Sequence, residues 1–308
     1  MSTSIAWIAV DWGTSTLRAW AMSATHRVID QRRSDQGMGK LLSTQFEAAL
    51  LVLIDDWLVD SHRKIPVIAC GMVGAKQGWI EAKYRSTPVD LTTASHLSAA
   101  VVTGMRFSVN ILSGISQSSP PDVMRGEETQ IAGWLAQHDA YTGLICLPGT
   151  HTKWVNVEKG IVVGFTTYMS GELFALLSEQ SVIRHSLDAN AVAVDESLFS
   201  DALIETKAGD LVQQLFSLRA ASLLQDVSAN VTKARLSAIL LGHEVASAFQ
   251  ALNQTSPVII IGMDRLARLY QLAITQLTSN SAKCVDADQM TLAGLSHAYE
   301  AFKQEQPE

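Results

Sequence analysis

The 308-residue sequence predicts an α/β fold of two domains, each a mixed sheet flanked by helices. Three observations carry this expectation. Short apolar strands come first as hairpins and then alternate with helical stretches, the pattern of a sheet covered by helices. The strand–turn–strand that opens the chain returns near its middle with a similar turn, GTST at 13–16 and GTHT at 149–152, and each turn is followed by a cation, Arg18 or Lys153. The chain's Pro-Pro pair, inside SGISQSSPPDVMRGEETQ, falls between the two copies and reads as a boundary. The domains expected are therefore 1–122 and 123–308, with the last helix free to pack on the first domain.

Element by element, 5–10, 17–22 and 27–32 read as strands, and 46–59 carries apolar residues at helical spacing. Residues 66–70 return to strand and lead into a glycine-rich loop, 71–78. Residues 92–102 read as helix and 109–112 as strand. After the boundary a helix starts near Glu127, where carboxylates suit the N-terminal end of the helix dipole. Strands at 144–147, 153–157 and 161–168 follow, with a reverse turn at 158–160. Helices are expected at 171–182, 210–224, 246–252 and 265–277, with a strand at 258–261. A strand near 283–285 and a terminal helix complete the chain.

Composition excludes several functions. Hydrophobic residues make up 47% and charged residues 17%, enough for large cores. A net charge of −7 and a pI of about 5.6 argue against a broad nucleic-acid face, which needs cations to neutralise phosphates. Cys70, Cys146 and Cys284 are too scattered for a disulfide framework or a zinc site and read as buried thiols of a reducing compartment. No uncharged run reaches the length of a membrane span, and no basic leader precedes the first strand, where Asp11 interrupts the apolar run. A cytoplasmic protein without membrane or nucleic-acid partners is expected; seven tryptophans permit a homodimer.

The chemistry concentrates in four stretches. In IAVDWGTSTLRAW, a turn of Gly13, Thr14 and Ser15 offers N–H groups and hydroxyls to an anion, and Gly13 allows positive φ and close approach. Gly149 and Thr150 offer the same in the second turn. Asp11 would repel phosphate directly but can hold Mg2+, which favours one or two carboxylates plus phosphate oxygens. An Asx-type hairpin with no ligand is the plain alternative for either turn, and the pairing of the two turns weighs against it. No Walker or dinucleotide glycine motif is present. In VIIIGMDRLARLY, Gly262 and Met263 would lie against an adenine face, the alternative being an ordinary strand–helix connection. In MRGEETQ, Glu127 or Glu128 could take the proton of an attacking hydroxyl, although either also suits a helix start.

Taken together, VDWGTST, LPGTHT and IIIGMDRLA resemble the phosphate-1, phosphate-2 and adenosine elements of the sugar kinase, actin and hexokinase superfamily. GMVGAKQGWIEAKY, MRGEETQ, LPGTHTKWV and MSGELFALLSEQSV resemble, more narrowly, the 2-keto-3-deoxygalactonate kinase family, over nearly the whole chain. The resemblance implies two ribonuclease-H-like, actin/hexokinase-type domains around an interdomain cleft. It also implies ATP-dependent phosphorylation of the terminal hydroxyl of 2-dehydro-3-deoxygalactonate in galactonate catabolism. Asp11 would organise Mg2+; Gly13, Thr14, Ser15, Gly149 and Thr150 would hold the ATP phosphates; and Gly262 and Met263 would contact adenosine. Superfamily sugar kinases usually start the linking helix with an aspartate, whereas this chain has Glu127–Glu128. A similar glutamate pair in related exopolyphosphatases favours Glu128 as base. Substrate contacts would come from Lys76, Gln77, Trp79 and Glu81 in the glycine-rich loop, and from Arg125. Pro148 stands where many relatives have a carboxylate or glycine, which leaves Asp11 as the only hairpin carboxylate. Two other functions share these motifs. An exopolyphosphatase-type phosphoanhydride hydrolase would want a basic channel, and a non-enzymatic ATP switch would want extra subdomains for which 308 residues leave little room.

Overall fold

The computed structural model describes residues 4–58, 64–93, 97–187, 193–205, 210–250, 257–278 and 280–305. The chain forms two compact units, one of 1–141, 159–163 and 287–308, the other of 142–158 and 164–286. The boundary expected after residue 122 therefore moves: 123–141 and the terminal helix belong to the first unit.

In the first unit, β1 (Trp7–Trp12), β2 (Leu17–Met22) and β3 (Val28–Ser34) form an antiparallel meander, and α1 (Phe46–Ile54) follows. β4 (Ile65–Gly71) then pairs parallel with β1. Short strands β5 (Arg85–Ser86) and β6 (Val89–Asp90) lead to β7 (Leu97–Ala100) and β8 (Phe107–Leu112). The main sheet runs β3-β2-β1-β4-β8-β7. Strand alternation decides its two faces. Ile8, Val10 and Trp12 pack with Phe46, Leu50 and Ile54 of α1. Trp7 and Ala9 face Leu295, Ala298 and Tyr299 of the terminal helix, and the Trp7 and Tyr299 rings stack 4.6 Å apart.

Two expectations fail here for physical reasons. Residues 97–100, read as part of a helix, form an edge strand antiparallel to β8; hydrogen bonding to a waiting sheet edge overrides a weak local pattern. The Pro-Pro segment is no linker. It is a hairpin of β9 (Ile115–Ser118) and β10 (Pro121–Met124), turning at Ser119–Pro120 and completed by β5 as a third strand. This hairpin delivers the chain into α2 (Glu127–Leu135).

In the second unit β11 (Gly143–Leu147) and β12 (Thr152–Glu158) repeat the opening hairpin, and β13 (Ile161–Tyr168), whose residues 161–163 count with the first unit, continues it. Helices α3 (Ser170–Glu179), α4 (Glu196–Glu205), α5 (Leu211–Leu224) and α6 (Ala229–Gln250) follow. β14 (Val258–Ile261), α7 (Arg265–Leu277) and β15 (Ala282–Val285) complete the unit, and α8 (Ala287–Glu305) returns the chain to the first. The sheet order β15-β14-β11-β12-β13 places β14 parallel to β11, as β4 is to β1. Each unit thus opens with an antiparallel hairpin beside a parallel strand. Sequence patterning finds α7 in full but misses α4 and all of α6 before residue 246. Thr232, Ser237 and Glu244 are buried along α6, so polar residues interrupt the apolar face that would have marked it. The helix read over 46–59 ends at Ile54 and passes into a 3-10 turn, Asp55–Leu58; residue 59 lies outside the described set.

Cys70 and Cys146 are buried free thiols, as expected, and Cys284 is half-buried. Among the described residues, no helix is long and apolar enough to cross a membrane.

Candidate active site

In the first unit three chain segments meet at the C-terminal ends of β1 and β4. Asp11 lies in register with Arg18 across the hairpin and with Cys70 on β4. Arg18 donates to Asp11 Oδ2 from Nε at 3.2 Å and from Nη2 at 2.5 Å, and also binds Asp288. Asp11 Oδ1 is 3.8 Å from the Cys70 thiol. Gly71, at φ 91°, has no room for a side chain: a Cβ would come 2.8 Å from Trp12 O and 3.2 Å from Asp11 Oδ1. Gly126, at φ 111°, brings the start of α2 against Gly71.

That approach seats Glu128 beside the strand ends. Its side chain is buried, Oε2 accepts the Gly126 N–H at 2.6 Å, and Oε1 accepts the Thr129 hydroxyl at 3.2 Å. Glu127 is half-exposed and accepts the Arg125 N–H at 3.1 Å. Burial first, and then the Glu127 charge, push the Glu128 carboxyl up to about 8. The Cys70 thiol feels both Asp11 and Glu128 and hydrogen-bonds Thr129; burial and the two carboxylates hold it well above its usual value, as a neutral spacer.

The first turn presents its apex outward: Thr14 and Ser15 are exposed, and Gly13 N–H donates to Thr16 O at 2.9 Å. Its underside is held by 37–40, where Met38 N–H donates to Gly13 O and Gly39 N–H to Thr14 O, both at 2.9 Å. The glycines of GMGK, no phosphate loop by motif, thus brace the turn from below. Gly13 does not adopt the positive φ expected of it, and neither does Gly149.

The loop from 71 to 84 divides its expected contacts. Lys76, Gln77 and Glu81 are exposed. Trp79 is half-buried and packs against the core, stacked on Phe46 at 6.1 Å and edge-on to Trp12 at 6.2 Å. Arg125 is buried; Nη2 donates to Ala82 O at 2.8 Å, and the guanidinium lies 4.3 Å from the Tyr84 ring centre. Its Nε and Nη1 are enclosed without a hydrogen-bond partner, and the Ala82 bond ties the loop to the start of α2. The sequence reading missed Arg85, which lines one cavity with Glu128, Ser113 and His297. The available signal was its place as a cation directly after the loop.

In the second unit the turn after β11 leaves Thr150 exposed and Gly149 against open space. Glu172 N–H, in the first turn of α3, donates to Thr150 O at 3.0 Å, and His151 Nε2 meets Glu172 Oε2 at 2.5 Å. A buried chain of hydrogen bonds runs inward from the turn. Gly149 N–H donates to Thr152 Oγ1 at 3.4 Å; Thr152 Oγ1 and Tyr270 OH are 2.7 Å apart; Tyr270 OH donates to Glu244 Oε2 at 3.0 Å. Trp154 Nε1 donates to Glu244 Oε1 at 2.8 Å, and Ser170 also hydrogen-bonds this carboxylate, which burial holds above its usual value. Gly262 and the exposed Met263 follow β14, parallel neighbour of β11, so the second turn and the glycine turn stand at the ends of adjacent strands. Gly262 N–H is held by Val285 O at 2.8 Å.

Among the described residues, no three His, Cys, Asp or Glu side chains converge on a metal-sized gap. A cation at Asp11 would use that one carboxylate, with Oδ2 shared with Arg18. That fits Mg2+ carried mainly by phosphate oxygens and water.

Comparison with known proteins agrees over nearly the whole chain. The profile of the 2-keto-3-deoxy-galactonokinase family matches residues 11–298. The 2-dehydro-3-deoxygalactonokinase of Escherichia coli (strain K12) is 32% identical over 87% of this chain and 88% of its own length. A Rhizobium meliloti (strain 1021) protein with a provisional name of the same activity is 37% identical over 98% of this chain and 99% of its own. A crystal structure from Sinorhizobium meliloti, assigned as a 2-dehydro-3-deoxygalactonokinase protein, superposes with a TM-score of 0.89 at 36% identity, covering 96% of this chain and 99% of that one. A carbohydrate kinase from Novosphingobium aromaticivorans shares the fold alone, with a TM-score of 0.50 at 11% identity over 96% of this chain and 93% of that one. The chain belongs to the 2-keto-3-deoxy-galactonokinase family.

Proposed function

We propose that the chain transfers the terminal phosphoryl group of ATP to the terminal hydroxyl of 2-dehydro-3-deoxygalactonate, a step of galactonate catabolism in the cytoplasm. Family membership supports the reaction class, and the buried Glu128 carboxyl at the start of α2, beside Asp11 and Cys70, is the observation that carries the mechanism. In this reading Glu128 accepts the proton as the hydroxyl oxygen forms its bond to the γ-phosphorus and the bond to ADP breaks. Phosphoryl transfer needs little beyond positioning and charge stabilisation. Thr14 and Ser15 offer exposed hydroxyls to phosphate oxygens, as Thr150 does in its own unit, with Gly13 and Gly149 leaving their turns open. Asp11 would hold Mg2+, which would supply charge neutralisation at the phosphates. Gly262, which has no side chain, would leave room for an adenine ring beside the exposed Met263.

The test is an assay of ADP formation with ATP, Mg2+ and a panel of sugar acids, with the product identified by mass and phosphorus NMR. Phosphorylation of the keto-deoxy acid, and no phosphate release without it, is expected. Phosphate release independent of any sugar acid would replace the kinase by a hydrolase.

A further inference from the structure

Arg85 opens the short strand β5. Its N–H donates to Gly114 O at 2.9 Å, and it pairs with Ile115 in the three-stranded sheet. Its side chain is half-buried, yet its hydrogen-bond partner in the structure is a backbone carbonyl, Asp90 O, reached from Nη2 at 2.6 Å. The Asp90 carboxylate lies near but is committed elsewhere, accepting the Thr92 N–H at 2.8 Å and the Thr92 hydroxyl at 2.7 Å. Burial pulls the Arg85 guanidinium below its usual pKa, and the nearby Asp90 charge offsets this only in part.

Two spaces meet at this side chain. One is a cavity of about 40 Å³, lined by Arg85, Thr93, Ser113, Glu128 and His297 among others. The other is an open groove of about 710 Å³, which shares Arg85 and Ser113 with the cavity. The cavity alone is too small for a six-carbon acid, and the groove supplies the room. Lys76, the first cation of the glycine-rich loop, is exposed and lines neither space. His297 Nε2 is engaged with Thr92 O at 2.7 Å, so Arg85 is the group in the cavity with donors to spare.

We propose that Arg85, with Ser113 beside it, is the anchor for the substrate's carboxylate, and that it selects an α-keto acid over a neutral sugar on the cavity shared with Glu128. The planar guanidinium takes a carboxylate through two parallel N–H···O bonds, a geometry an ammonium cannot copy. A neutral sugar would leave this half-buried cation with only its Asp90 contacts, so discrimination follows from the missing carboxylate as much as from the new bond. The inference rests on the kinase reading for the identity of the acid, and on the cavity alone for the position of its anion.

Calorimetric binding of 2-dehydro-3-deoxygalactonate and of its C1 amide separates the two. Arg85→Gln should weaken acid binding ~10²-fold, the scale of a lost charged hydrogen bond, with ATP binding unchanged as the check on folding. Arg85→Lys should recover only part of the loss. Wild-type protein should bind the amide about as weakly as Arg85→Gln binds the acid, and Arg85→Gln should not distinguish them. The anchor is overturned if Lys76→Ala loses acid affinity while Arg85→Gln keeps it, if wild type holds acid and amide equally, or if wild type does not bind the acid. Arg85-dependent binding without any phosphorylated product would sink the kinase reading and leave the anchor standing.

Discussion

Replacing Glu128 by glutamine should make the protein more stable at alkaline pH, and the gain should vanish in acid. The native carboxyl sits at about 8 against a usual 4.5, because burial and the Glu127 charge disfavour its ionised form. A carboxyl raised in the folded state contributes stability that is complete below the unfolded value and is lost as pH climbs through the folded one. Between 4.5 and about 8 the wild type should therefore lose stability relative to Glu128→Gln, and the gap should level off above that range. At about 1.36 kcal/mol per pH unit, this interval sets a ceiling of about 5 kcal/mol. The Gly126 N–H still has an amide oxygen to meet in the variant, so neutral glutamine costs little at pH 5. Half the ceiling, about 2–3 kcal/mol, would move a thermal midpoint by roughly 5–10 °C in a unit of this size. Thermal unfolding of both proteins at pH 5 and pH 8.5 reads the difference directly. A gap that stays constant across this range would refute the burial argument. Glu127→Gln serves as control, since removing that charge should narrow the alkaline gap.

The same carboxyl predicts that kcat/KM rises with pH to a plateau above about 8, and that Glu128→Gln lowers kcat by ~10²-fold or more with little change in KM; an active Glu128→Gln with a dead Glu127→Gln would transfer the role to the neighbour. Asp11→Asn should nearly abolish turnover with the fold retained by circular dichroism, and wild-type rates would remove Asp11 from the metal site. Thr150→Ala should weaken ATP by about 1.5–3 kcal/mol in a nucleotide titration, the value of a hydrogen bond to a charged oxygen. Tyr270→Phe cuts the link between Thr152 and the buried Glu244 carboxylate, so it should raise KM for ATP and leave KM for the sugar acid alone; equal rises in both would mark general destabilisation instead.

Where a contact is local, the chain's own pattern specified it. Turn residues between short apolar strands gave both hairpins, but which β1 residues face α1 (Ile8, Val10, Trp12) and which face the terminal helix (Trp7, Ala9) emerged only from the packing. Helix α7 was legible because its outer face meets water and keeps a polar stripe, with Asp264 capping its start through the Ala267 N–H at 2.9 Å. Helix α6 was not, because its Thr232, Ser237 and Glu244 are buried, and Glu244 is satisfied by Trp154 and Tyr270, residues remote in sequence. The 97–100 segment became a strand for a related reason: its partner, β8, is supplied by the fold.

The candidate site divides along the same line. Asp11, Thr14, Thr150 and the Glu127–Glu128 pair announce themselves, because turn and helix-start chemistry is written in neighbouring residues. Which glutamate is buried was decided by the fold, since it depends on Gly126 and Gly71 bringing α2 against the end of β4. The fold likewise packed half-buried Trp79 against the core and enclosed Arg125 over Tyr84. It set Arg85 in the cavity with Glu128, a juxtaposition of residues 43 apart that no local pattern encodes. Sequence alone determined which groups can bind an anion or take a proton. Burial and proximity, which fix their pKa and their aim, are sums over distant neighbours, and only the tertiary structure decided them.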